Sequence, residues 1–114
     1  MGKEKQPKIL EKNITKDIRA LLKQYNIFHY KAWQGMGSTP GVSDIIGLLP
    51  DGRFLAIEVK TPIGMHRRFK EREKGEKINQ DDFLDNIKLN KGVAFYAISS
   101  LDVLQALRSL GFVK

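Results

Sequence analysis

Cysteine is missing from all 114 residues, which excludes disulfide staples, thiolate zinc sites and thiol nucleophiles. No apolar run approaches the roughly 18 residues of a membrane span, and the lysine-containing start lacks a secretory signal's apolar region. A soluble, intracellular, cytoplasmic protein with no membrane partner is therefore expected. Acidic residues are in deficit: 13 Asp and Glu stand against 20 Lys and Arg, a formal charge of +7. Polyanions are natural partners for such a chain, and phosphate contacts would make binding fall steeply with salt. Repeats, linkers and composition breaks are also lacking. One domain over residues 1–114 follows, long enough for a modest core without metal or disulfide support, with a polar, flexible segment over 1–8.

Against these absences, three charged residues stand out on two short apolar segments. Asp44 precedes Glu58-Val59-Lys60, with Pro50-Asp51-Gly52 between them. Side chains alternate faces along a strand, so Glu58 and Lys60 share one face while Ile57 and Val59 point to the other. The turn decides whether Asp44 joins them. If Leu49 to Gly52 forms a type I turn with Gly52 at the left-handed bulge position, Leu49 pairs with Arg53 and Asp44 lies opposite Glu58. Their Cβ atoms would then be roughly 4.5–5.5 Å apart. A two-residue Asp51-Gly52 loop would slip the register by one and send Asp44 to the opposite face. The bulged loop is the preferred reading.

Two adjacent carboxylates resist joint ionisation unless a cation neutralises them. Oxygen-only ligands suit Mg²⁺ or Mn²⁺, and Mg²⁺ keeps several waters when held by one or two carboxylates. The competing reading makes Asp44 a strand-end residue and Glu58 and Lys60 a solvated pair. No small-molecule cofactor is indicated.

Gly41-Val42-Ser43-Asp44-Ile45-Ile46-Gly47 followed by Phe54-Leu55-Ala56-Ile57-Glu58-Val59-Lys60 resembles the PD-(D/E)XK nuclease superfamily, and more closely its VRR-NUC branch. The likeness runs from about Leu10 to Ser99 and takes in Glu11, Gln80 in Gln80-Asp81-Asp82-Phe83-Leu84, and Lys91-Gly92-Val93-Ala94. One departure is Ser43, where the superfamily pattern often has Pro. The resemblance implies an α/β, restriction-endonuclease-like core with a mixed β-sheet flanked by helices, and metal-dependent hydrolysis of a DNA phosphodiester. It implies that Asp44, Glu58 and the Val59 carbonyl hold Mg²⁺ or Mn²⁺, that Lys60 orients the attacking water and stabilises charge on the phosphate, and that Glu11 and Gln80 complete the site. Stand-alone, virus- and phage-type members of the branch resemble Holliday-junction resolvases and pair as homodimers, which implies branched DNA as substrate. The alternative from another class is a non-catalytic basic DNA-binding module.

The remainder reads from its periodicity. Leu10, Ile14, Ile18, Leu21, Leu22 and Tyr25 form one helical stripe, with Lys12, Lys16, Arg19 and Lys23 on the opposite face. Glu11 falls inside the stripe, so it either meets water at a fraying helix start or faces the metal site. Ile27 to Trp33 reads as a strand. The 34–41 loop places Ser38 where it contacts a phosphate or merely connects. The basic stretch after Thr61-Pro62 reads as a solvated loop or surface helix, in which Arg67, Arg68 and Lys70 would position DNA without reading bases. Asn79 caps a helix from Gln80 to about Asn90, Val93 to Ile98 is a strand, and Ser99 or Ser100 caps a last helix ending at Gly111. This order suggests a mixed sheet covered by helices on both faces, with the site at a sheet edge. Paired aromatics able to stack single-stranded bases are not recognisable in the sequence, which ranks RNA hydrolysis lower.

Overall fold

Leu49 and Arg53 close the hairpin that carries the acidic residues. In the computed structural model, which describes residues 10–33, 41–75 and 79–114, the Leu49 N–H donates to the Arg53 carbonyl at 2.9 Å and the Gly52 N–H donates to the Leu49 carbonyl at 2.8 Å. Gly52 has φ +89°, a conformation that costs glycine little and other residues more. This is the bulged loop expected from Pro50-Asp51-Gly52. It fixes the pairing of β2 (Ile45–Leu48) with β3 (Phe54–Val59), in which Ile45 faces Ile57 and Ile46 faces Ala56.

The sheet has four strands in the order β1-β2-β3-β4, where β1 is Phe28–Lys31 and β4 is Val93–Ala97. β1 and β3 each pair antiparallel with β2, whereas β4 lies parallel to β3, so the sheet is mixed. Because β3 is central and covered on both faces, its residues from Leu55 to Val59 are all buried. The chain is thus an α/β fold with helices on both faces of a four-stranded mixed sheet.

One face is covered by α1 (Glu11–Gln24) and α4 (Ser100–Ser109). Ile14, Ile18 and Leu22 of α1 and Val103 and Leu107 of α4 are buried with Ile45, Leu55, Ile57 and Val59. The other face is covered by α3 (Asn79–Leu89), whose Leu84 is buried with Ala32, Ile46, Ala56 and Ala94. α4 begins where Ser99 accepts a hydrogen bond from the Asp102 N–H, and its end at Leu110 is followed by Gly111 at φ +86°.

The stretch after Lys60 differs from a plain loop. Thr61 caps α2 (Pro62–Glu73) by accepting from the Gly64 N–H, and Pro62 occupies the first turn, where its missing N–H costs nothing. The helical signal was faint in the sequence because α2 has no buried apolar stripe: Arg68 is its one buried residue. No helix among the described residues is long and apolar enough to cross a membrane.

Candidate active site

Asp44 immediately precedes β2, and continuing the observed register sets it opposite Glu58. Its backbone carbonyl accepts from the Ala32 N–H at 2.8 Å, and its Oδ2 accepts from the Val59 N–H at 2.7 Å. The carboxyl group is therefore turned toward β3. Glu58 is 4% exposed, and its Oε2 lies 3.7 Å from Nζ of Lys60, two positions on and on the same face. The Lys60 N–H donates to the Ala97 carbonyl at 3.0 Å, which holds this end of β3 against β4. The three residues meet at the ends of the two central strands, not at a sheet edge as the element order had suggested.

Burial, reinforced by the negative charge of Asp44, pushes the Glu58 carboxyl up to about 8, with Lys60 only partly offsetting the effect. Oε1 of Glu58 is buried without a hydrogen-bond partner among the described residues. As two carboxylates, Asp44 and Glu58 have no proton to donate to each other. A proton shared between them, or a cation, removes the conflict.

Lys60 also lines a cleft of about 410 Å³ with Glu11, Gly64, Arg67, Arg68, Glu71 and Gln80. Gly64 lies close to Lys60 and Glu11: a Cβ at that position would stand 3.2 Å from Oγ1 of Thr61, 3.7 Å from Cδ of Lys60 and 4.0 Å from Oε1 of Glu11. Glu11, exposed in the first turn of α1, thus reaches the Lys60 side of the site. No group of three or more His, Asp or Glu side chains placed to hold a metal ion occurs among the described residues. On the other side, Asp44 lines a recess with Lys31, Ala32 and Trp33.

The residues expected to contact DNA separate by burial. Arg67 and Lys70 are exposed on α2, and Ser38 lies outside the described residues. Arg68, read in the sequence as part of a solvated basic segment, is instead 6% exposed. Its Nη2 donates to Oε1 of Gln80 at 3.0 Å, its Nη1 donates to Oε2 of Glu71 at 3.3 Å, and its guanidinium lies 5.5 Å from the centroid of the Tyr96 ring. Arg68 therefore forms an inner wall of the cleft.

Tyr96 and Arg72 belong to the same neighbourhood and were not picked out in the sequence. Tyr96 pairs with Glu58 across the parallel β3–β4 register, which puts it beside the carboxylates. Its hydroxyl donates to Asp81, and Arg72 grips the same carboxylate through Nε at 3.0 Å and Nη2 at 2.7 Å. The Arg72 contact holds Asp81 below the usual carboxylate range, while burial and then the Asp81 carboxylate push the Tyr96 hydroxyl upward. This network ties α2, α3 and β4 together behind the cleft. Alternation placed Tyr96 on a face with Ala94, but its neighbour on β3 depends on a parallel register that no turn between the strands defines. No family model, curated protein or solved structure matches the chain.

Proposed function

We propose that this chain is a Mg²⁺- or Mn²⁺-dependent DNA endonuclease of the PD-(D/E)XK type, similar to the VRR-NUC branch, acting as a homodimer on branched DNA such as four-way junctions. The observation that carries the reading is the apposition of Asp44 and Glu58, with the Lys60 ammonium 3.7 Å from Glu58 on the same face. The mixed sheet with a helix before and after the acidic hairpin is the setting that the resemblance implies.

The donor set fits a hard divalent ion. It is made of oxygen, it includes a buried Glu58 Oε1 that no hydrogen bond satisfies among the described residues, and Glu58 resists ionisation without added positive charge. Asp44 and Glu58, with the Val59 carbonyl, would hold the ion. When bound, such an ion lowers the pKa of a water and polarises a phosphoryl oxygen.

The chain's own residues supply the rest. The Val59 N–H keeps Asp44 turned toward Glu58. Lys60, 20% exposed, presents its ammonium to the cleft, where it orients the attacking water and stabilises charge developing on the phosphate. Arg68 occupies Oε1 of Gln80, leaving the Gln80 NH₂ as the donor available to substrate. Arg67 and Lys70 offer exposed charge for positioning a phosphate backbone.

A cleavage panel over linear duplex, single-strand, flap and four-way-junction DNA, with Mg²⁺ and with Mn²⁺, tests the reading. Cutting that is abolished in Asp44→Ala and Lys60→Ala while binding persists is the expected result. Normal cutting by both variants overturns the catalytic assignment, and binding without cutting by the wild type gives the non-catalytic DNA-binding module instead.

A further inference from the structure

A second concentration of positive charge lies along α1. Lys12, Lys16, Arg19 and Lys23 are exposed on α1, and at 100° per residue they fall within an arc of about 60°. They line an open groove of about 840 Å³ between α1 and β1, to which β1 contributes Phe28, His29 and Lys31. No carboxylate lines the groove. The ion pairs among the described residues engage Arg53, Lys60, Arg68 and Arg72, and none of the groove's cations.

Folding does not explain this row. The core side of α1 is already formed by Ile14, Ile18 and Leu22, and like charges at i, i+4, as in Lys12–Lys16 and Arg19–Lys23, oppose the helix. A polyanion laid along the row removes that repulsion. From position 12 to 23 the helix rises roughly 16 Å, which matches about five phosphate intervals on one strand of a duplex. A lipid surface fits poorly, because an interfacial helix inserts its apolar face and that face of α1 is buried in the core.

One further observation gives the groove a direction. Lys31 lines both the groove and the recess that contains Asp44. Phe28, 66% exposed, lines the groove at its edge, whereas Tyr30, 51% exposed, pairs with Ile46 and so lies on the α3 side of the sheet. The sequence did not distinguish these two from core residues, because alternation does not show whether anything covers a face.

We propose that the α1–β1 groove binds the phosphate backbone of a nucleic-acid strand and that Lys31 leads this strand to the Asp44 recess. Delivery to Asp44 rests on the nuclease reading, whereas affinity in the groove does not. The test is fluorescence anisotropy with a labelled oligonucleotide, single-stranded and duplex, in EDTA over a salt series. In Lys16→Ala/Arg19→Ala, affinity drops and the slope of log K against log salt becomes shallower by about 1.8 for duplex or about 1.4 for single strand, as expected for two lost phosphate contacts. Lys88→Ala/Lys91→Ala removes the same charge from exposed positions outside the groove and leaves the slope unchanged. A loss with either DNA form supports the groove and identifies the form it prefers. Equal behaviour of the two double variants overturns it, as does a Lys16→Ala/Arg19→Ala defect confined to binding of phosphatidylserine vesicles. Because EDTA prevents cutting, failure of the nuclease reading would leave this measurement interpretable.

Discussion

The backbone N–H of Val59 donates to Oδ2 of Asp44 across a separation of 15 positions, at 2.7 Å. One carboxyl oxygen of Asp44 is thereby fixed by the strand that carries Glu58 and Lys60. The acidic pair is a property of the hairpin backbone as much as of its side chains.

Replacing Asp44 by Asn keeps an oxygen acceptor while removing the charge. Since that charge is the second cause, after burial, of the raised Glu58 value, the Glu58 carboxyl in Asp44→Asn should titrate below about 8 but still above its ordinary 4.5. Carbon-detected NMR of the Glu58 carboxyl measures this. A midpoint unchanged from wild type would show that the two groups do not sense each other.

Stability without metal should fall as pH rises. The folded pKa of Glu58, about 8, lies above the ordinary 4.5, so between these values the folded state binds more protons than the unfolded state. Stability is then greatest below about 4.5 and declines toward pH 8 with a slope approaching about 1.4 kcal/mol per pH unit from this group. Urea denaturation of wild type and Glu58→Gln in EDTA measures the contribution: Glu58→Gln should flatten the decline, and parallel profiles would exclude it. Mn²⁺ should restore most stability at the upper end, where the carboxylate it would bind is ionised.

Arg68 and Arg67 are neighbours in sequence with opposite expected behaviour. Arg68→Ala removes a buried guanidinium from Gln80, Glu71 and Tyr96 and should cost about 1–3 kcal/mol. The exposed Arg67→Ala should stay within about 0.5 kcal/mol. Chemical denaturation compares them, and equal stability would contradict the burial of Arg68.

Gly41 and Gly52 both have positive φ, but only Gly41 is crowded. A Cβ at Gly41 would stand 2.5 Å from the Asn79 carbonyl, whereas Gly52 has open space around it. Gly52→Ala should therefore cost about 1 kcal/mol from backbone strain alone. Gly41→Ala should cost more, and it should lower the proposed Asp44-dependent cleavage by disturbing the contact between the start of α3 and the approach to Asp44. Thermal melts and the cleavage assay together distinguish the two effects.

The parts that were legible in the sequence are those governed locally. Pro50 and Gly52 favoured the bulged loop over the two-residue alternative, that loop set the register, and period-two alternation then put Asp44, Glu58 and Lys60 on one face. The apolar spacing of α1 likewise marked Ile14, Ile18 and Leu22 as core. What could not be read depends on distant partners. Arg68 is buried because Tyr96 and Gln80 arrive from β4 and α3, and a helix with one buried residue carries almost no periodic signal. The site's position on central strands was obscured for the same reason, since nothing local announces that β4 pairs beside β3.

That distant pairing has a kinetic consequence. β3 ends at Val59 and its parallel partner begins at Val93, whereas the hairpin closes over three residues. Hairpins form in about 1–10 μs, and long-range parallel pairing is slower. The two acids should therefore meet near the outset of refolding, before the crossover has been completed. Their repulsion should slow the forward rate at alkaline pH, and Mn²⁺ should quicken it; a stopped-flow folding limb indifferent to both would place the encounter late.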